Sequence, residues 1–176
     1  MAVDTFEEYV AEIKNDDSQP EFVTKDLMYM VAMVTYNASK LCNDKLKHED
    51  PDLEIYGWRI MRGCANILNK LDIHAGYASI ADTIMPISSD VTDHQNILLT
   101  STTELTRHML NIYERNYCSD IYVINDYEIN EIYACMDLIM SAMVCVIWQL
   151  HSGYNMNEHD EVFTDMMFHS LQSKVY

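Results

Sequence analysis

The fold is decided by residues 132–150, which read IYACMDLIMSAMVCVIWQL. With the residues just before it, this stretch carries apolar side chains on more than one face of a helix, at Ile129, Ile132, Tyr133, Met136, Ile139, Met140, Met143, Val144 and Ile147. A helix that is apolar on nearly all sides is enclosed by other helices. Asp137 and Gln149 interrupt the stretch, and its uncharged part is shorter than the roughly 20 apolar residues that span a membrane. We therefore predict a buried central helix and no membrane insertion.

Local signals mark both ends of this central helix. Asn125 is followed three residues later by Glu128, a spacing that resembles a capping box with Asn in place of Ser or Thr. His151-Ser152-Gly153 provides a C-terminal stop, because glycine readily adopts the left-handed conformation that ends helices.

The rest of the chain repeats apolar residues at three- and four-residue intervals. This periodicity predicts helices over about residues 3–13, 26–47, 52–70, 77–85, 90–113 and 157–171. Thr24 is a candidate N-cap, the Thr-Ser-Thr-Thr run at 100–103 could divide the long helix, and Gly57 and Gly63 indicate either close packing or a kink. We predict an all-α, compact bundle of six to seven helices around the hydrophobic central helix. Residues 1–20 form an N-terminal helix and an acidic linker, and residues 21–176 a single domain.

The charge of the chain restricts its partners. The formal net charge is −17, and residues 116–173 contain nine acidic residues but no Lys or Arg. Binding to nucleic acid or to an anionic membrane needs clustered cations, so both are disfavoured and basic partners are favoured. The acids can equally be solvated helix faces that keep the protein soluble.

The common catalytic and cofactor motifs are missing from the sequence, so we expect a protein that is not an enzyme and has no cofactor. Two helical sets, Glu104 with His108 and Glu161 with Asp165 and His169, could hold a cation, but they lack the spacing of a bundle metal site, and we predict none. The odd number of cysteines without a C-x-x-C pair indicates reduced core thiols. Residues 1–17 have no apolar signal segment, and these features together predict a cytosolic or nuclear protein.

Thirteen methionines are many for this length, and several lie on the last two predicted helices. Flexible thioether side chains suit grooves that accept partner helices, although they also suit an ordinary core. The candidate partner-binding residues are Met136, Met140, Met143, Phe163, Met166 and Met167.

The order of elements resembles that of the poxviral Bcl-like immunomodulatory proteins, and so does the composition of residues 111–133, which are rich in Ile, Asn, Asp and Tyr. The segment from Asn130 to Cys135, continuing to Trp148, is similar to the central helix of that family, and Ile55-Tyr56-Gly57 resembles the Tyr-Gly that closes an early helix. The Asn-Trp-Gly-Arg signature of cellular death regulators is absent. The resemblance implies a Bcl-like fold and a virulence factor of the host cytoplasm. Its implied partner is a host signalling adaptor, a kinase or a pro-apoptotic helix.

Two functions remain open from the sequence. The first is a non-enzymatic module that inhibits host innate immune signalling or apoptosis by occupying a host protein surface, and an exposed apolar face on it would also allow a homodimer. The second is an acidic protein that imitates nucleic acid and blocks a basic protein.

Overall fold

The computed structural model describes residues 5–15, 26–43, 52–73, 86–119, 121–153, 156 and 160–174. Within these ranges the chain forms six helices and no strand: α1 Phe6–Lys14, α2 Leu27–Leu41, α3 Leu53–Lys70, α4 Val91–Arg115, α5 Asp126–Ser152 and α6 Asp160–Ser173. The all-α prediction is confirmed. The short helix expected at 77–85 and the cap expected at Asn157 lie outside the described residues.

The prediction of an enclosed central helix is confirmed by α5. This helix packs most extensively against α4, and it also contacts α2, α3 and α6. Residues 139–147 are all buried, so no side of its middle turns faces solvent. The predicted capping box forms between Asn125 and Glu128, and Gly153 ends the helix in the left-handed conformation, with φ at 72°.

A second helix, α3, is enclosed as completely as α5, which the sequence did not predict. It contacts α1, α2, α5 and α6, and residues 60–68 are all buried. This buried run includes Arg62, whose guanidinium lies 5.4 Å from the centre of the Trp58 ring. A cation over an aromatic face is stabilised there, which offsets part of the cost of burying the charge.

The two glycines of α3 mark close helix packing. A Cβ atom built on Gly57 would lie 2.4 Å from Ile147 Cδ1 of α5, and one built on Gly63 would lie 2.6 Å from Val34 Cγ2 of α2. Both distances are too short for a carbon contact. Of the two alternatives that the sequence left open, close packing therefore accounts for both positions.

The first two helices differ in detail from their predicted bounds. α1 packs on α3, with Phe6, Val10 and two further side chains buried, and Asn69 Nδ2 donates to Val10 O at 3.1 Å. The N-terminal helix therefore shares the core of the other helices. α2 begins after Asp26, whose side chain accepts from Met28 N, and not after Thr24. It ends at Leu41, so the prediction of a helix reaching residue 47 is wrong.

The polar run at residues 100–103 does not break α4. Its threonine hydroxyls donate to carbonyls one turn earlier, Thr102 to Leu98 O at 2.9 Å and Thr103 to Leu99 O at 2.8 Å. Such bonds satisfy the hydroxyl within the helix, which removes the reason for a break.

Candidate protein-binding surfaces

The six residues predicted to bind a partner divide into two groups. Met136, Met140 and Met143 lie in the core with 0% of their surface exposed, whereas Phe163 is 46% and Met166 61% exposed. Met167 is half-buried. A partner cannot contact the three methionines of α5 while the bundle is closed, because α5 is surrounded by other helices. Of the six predicted residues, only those on α6 are therefore accessible to a partner.

The last helix is apolar on two opposite sides. Its inner side buries Phe168 and Leu171 against the bundle. Its outer side exposes Val162, Phe163 and Met166, which we call the α6 face. An ordinary surface helix would carry polar residues there, so the α6 face is an unusual concentration of exposed apolar area.

The α6 face is fixed to the bundle at both ends. Near its beginning the Phe163 ring stacks on Trp148 of α5, with 5.0 Å between ring centres and 10° between planes. At its end Trp58 Nε1 of α3 donates to Lys174 O at 3.0 Å, and the Lys174 ammonium pairs with Glu54. These contacts hold the exposed side chains on a preformed surface.

A second apolar surface lies between α4 and α5, at residues 116–119 and 121–125, which we call the corner segment. Tyr117, Ile121 and Val123 of this segment, and Tyr127 in the first turn of α5, are between 69% and 74% exposed. These four residues were not among those predicted from the sequence. The four β-sheet formers Ile121-Tyr122-Val123-Ile124 between two polar residues were the signal that could have found them.

Arg115 fastens the corner segment. Its guanidinium makes a bidentate ion pair with Glu128, at 2.6 and 2.8 Å, and donates from Nη2 to Val123 O at 2.8 Å. Hydrogen bonding to Arg115 holds the pKa of the Glu128 carboxyl below its usual range. Asn116 Oδ1 accepts from Val123 N at 2.9 Å. This hydrogen bond and the one from Arg115 fix the backbone at Val123, which carries one of the exposed side chains.

A buried polar link joins the segment before α4 to the end of α5. His94 Nδ1 lies 2.6 Å from Gln149 Oε1, and His94 Nε2 accepts from the backbone N–H groups of Ile87 and Ser88, both at 3.3 Å. The proton of the neutral ring is therefore on Nδ1, which donates to Gln149. Burial lowers the pKa of His94. The link is structural, since both ring nitrogens are occupied by the protein itself.

Among the described side chains, the candidate metal-binding residues do not form a group of three possible ligands. Glu104 is held by Arg107, at 2.8 Å from Nη2, and the nearest acid to His108 Nε2 is Glu131 at 3.7 Å. Asp165 Oδ2 lies 3.6 Å from His169 Nε2. The Glu161 side chain is not among those that the structure describes. Among the described residues no group of three or more His, Cys, Asp or Glu could hold a metal ion.

Burial makes the thiol groups of the described core poorly reactive. Asp137 is half-buried on α5. All five cysteines are free; Cys64, Cys135 and Cys145 are buried. Burial raises the pKa of Cys145 to about 12 and that of Cys135 to about 11, so the reactive thiolate is disfavoured at both.

The comparisons with known proteins add no relative. No family model matches the chain, and neither the curated proteins nor the solved structures contain a significant match. By length and composition α5 could cross a membrane, but 67% of its most apolar window is buried inside the bundle, as in the core helix of a globular protein.

Proposed function

We propose that the protein is a non-enzymatic binding module that acts by occupying the surface of another protein. The observation that carries the proposal is the α6 face, where Val162, Phe163 and Met166 are exposed on a helix whose opposite side is buried. Exposed apolar side chains on a fixed scaffold lose little conformational entropy on binding, which favours a protein interface.

The identity of the partner follows from the resemblance to poxviral Bcl-like immunomodulators. We propose a host protein of innate immune signalling or apoptosis, bound in the host cytoplasm and thereby inhibited. Charge supports a partner with a basic rim, because residues 116–173 contain nine acids and no Lys or Arg.

A capture experiment with host cell lysate tests the proposal. The tagged protein is expected to retain a defined partner in a fixed stoichiometry, and the double variant Phe163→Ser/Met166→Ser is expected to lose it. The matched control, Leu99→Ser/Leu110→Ser, replaces two exposed apolar residues of α4 and should retain the partner. Equal recovery with both double variants would exclude the α6 face as the binding surface.

A second candidate function is imitation of nucleic acid by the acidic surface, which the net charge of −17 favours. The two functions differ in salt dependence. An interface made mainly by charges weakens steeply between about 0.1 M and 1 M salt, whereas an apolar interface changes little. The second function would be supported if salt released the partner from the parent protein and the variant Phe163→Ser/Met166→Ser retained as much partner as the parent.

A further inference from the structure

The corner segment contains a short stretch with the features of an extended strand. Residues 121–124 lie outside the helices, and all four are Ile, Tyr or Val, which favour β-structure. Exposure alternates along them: Ile121 and Val123 face solvent, while Tyr122 and Ile124 are half-buried and pack against the core. An extended chain produces this period of two.

Hydrogen bonding alternates along the same four residues. Ile121 N donates to Ser119 Oγ at 3.2 Å, and Ile121 O accepts from it at 2.8 Å. Val123 N donates to Asn116 Oδ1 and Val123 O accepts from Arg115 Nη2, at 2.9 and 2.8 Å. The backbone groups of Tyr122 and Ile124, by contrast, form no hydrogen bond within the part of the chain that the structure describes.

This alternation leaves the backbone groups of one edge of the segment without partners among the described residues. In an extended strand the N–H and C=O of one residue point to the same edge, and those of its neighbours point to the opposite edge. The edge formed by Ile121 and Val123 is closed by side chains of the protein. Among the described residues, nothing pairs with the donors and acceptors of the edge formed by Tyr122 and Ile124, and unpaired backbone groups of this kind can accept an added strand.

The charge of the sequence that contains the corner segment indicates which strand would fit. Residues 104–131 contain six acidic residues and two arginines, a net charge of −4 with histidine neutral. Both arginines are already paired, Arg107 with Glu104 and Arg115 with Glu128. A second copy of the chain would bring the same negative charge to the edge, so electrostatics disfavours self-pairing and favours a cationic strand.

We propose that the open edge at Tyr122 and Ile124 binds an extended, basic segment of a partner protein by β-strand addition. Main-chain hydrogen bonds supply the binding, apolar side chains of the segment pack beside Ile121 and Val123, and its Lys or Arg residues face the surrounding acids. This proposal goes beyond the proposed function, because it uses a different surface from the α6 face and stands if that face binds nothing.

A model peptide with alternating lysine and valine, KVKVKVK, tests the proposal against the full-length protein by NMR. In the free protein the amides of Tyr122 and Ile124 should exchange rapidly with solvent. At saturating peptide their exchange should slow about tenfold or more, while the amides of Ile121 and Val123, which are already bonded, change much less.

Two control peptides separate strand addition from simple charge attraction. The same peptide with every backbone nitrogen methylated retains its charge but cannot donate, and should bind about tenfold or more weakly. The acidic peptide EVEVEVE should not bind at about 1 mM. Equal binding of the methylated and unmodified peptides would overturn the proposal.

Variants of the protein provide the last comparison. Ile121→Ser/Val123→Ser should weaken binding of KVKVKVK severalfold, and Val162→Ser/Met166→Ser, which changes the α6 face, should leave it unchanged. Protection from exchange at the α6 face on adding peptide would contradict the proposal. So would protection of Tyr122 and Ile124 that grows with protein concentration in the absence of peptide, because it would indicate self-pairing.

Discussion

The two enclosed helices, α3 and α5, reach the same burial with different side chains. In each, nine consecutive residues are buried, 60–68 in α3 and 139–147 in α5. The run in α5 is apolar apart from Ser141, whereas the run in α3 includes Arg62, Gly63 and Asn66. Position at the centre of a bundle therefore depends on close approach between helices as well as on hydropathy.

The largest expected effects come from core truncations that compare the two helices. Ile139→Ala in α5 and Ile67→Ala in α3 should each lower the free energy of unfolding by about 2–5 kcal/mol, because both isoleucines are fully buried. Leu138→Ala, at an exposed position of α5, should change it by less than about 0.5 kcal/mol. Urea denaturation measures all three, and a small loss for Ile67→Ala alone would show that α3 is less tightly packed than α5.

A substitution at Gly63 tests the close approach that distinguishes α3. Alanine gains up to about 1 kcal/mol of helix propensity over glycine, but forcing a methyl group against Val34 Cγ2 at 2.6 Å costs about 1–3 kcal/mol. Because the branched Val34 side chain cannot rotate away easily, Gly63→Ala should be destabilising overall.

The double variant Gly63→Ala/Val34→Ala shows whether this contact is the cause. Removing the Val34 methyl groups should make the added alanine neutral or favourable, so the two substitutions should be coupled. Additive free energies in thermal or urea unfolding would contradict a direct clash. Gly57→Ala should cost less than Gly63→Ala, since the nearest atoms are the ends of Ile147 and the flexible Met143.

The N-termini of the two helices predict a smaller difference. Asn125 caps α5 by accepting from Glu128 N at 2.9 Å, whereas Asp52 at the start of α3 makes no side-chain capping hydrogen bond. Asn125→Ala should lower the free energy of unfolding by about 0.5–2 kcal/mol, and Asp52→Ala by less. Chemical denaturation of the two variants side by side gives the comparison, and a larger loss for Asp52→Ala would be inconsistent with it.

The smallest expected effect is a dependence on pH at the end of α5. Burial lowers the pKa of His94 below 6.5 in the folded protein, so the folded state binds fewer protons than the unfolded state. The stability that His94 contributes is therefore complete above about pH 6.5 and is lost as the pH falls towards the folded-state pKa, by at most about 1.4 kcal/mol per pH unit.

The variant His94→Gln isolates this contribution. Unfolding of the parent and the variant is measured from pH 7.5 to pH 5, and the difference between their stabilities should shrink as the pH falls. The other histidines are common to both proteins and cancel. A constant difference across this range would mean that His94 does not titrate differently on folding.

The sequence predicted α5 because three independent signals agree there: apolar residues on all sides, a capping box at Asn125 and a terminal Gly153. It did not predict the burial of α3, because Arg62 and Asn66 indicate a solvent-facing side until their tertiary neighbours are known. The sequence left open a break in α4, and the structure shows a continuous helix in which the hydroxyls of Thr102 and Thr103 bond to carbonyls of the preceding turn.

The candidate site was predictable only in part. Methionine suits a core and a binding groove equally, so the pattern could not separate the buried Met136, Met140 and Met143 from the exposed Met166. The corner segment was missed because its distinguishing feature is a row of backbone groups without hydrogen bonds to other described residues. A sequence does not show which backbone groups are bonded. Which edge of residues 121–124 is closed depends on where Arg115 and Asn116 reach, and this is a feature of the tertiary structure.

Amide hydrogen exchange of the free protein, followed residue by residue, tests the central claim most directly. We predict that residues 60–68 and 139–147 exchange equally slowly, through global unfolding alone, and that Tyr122 and Ile124 are among the fastest described amides. Exchange of residues 60–68 about tenfold or more faster than that of 139–147 would contradict a core built on both helices.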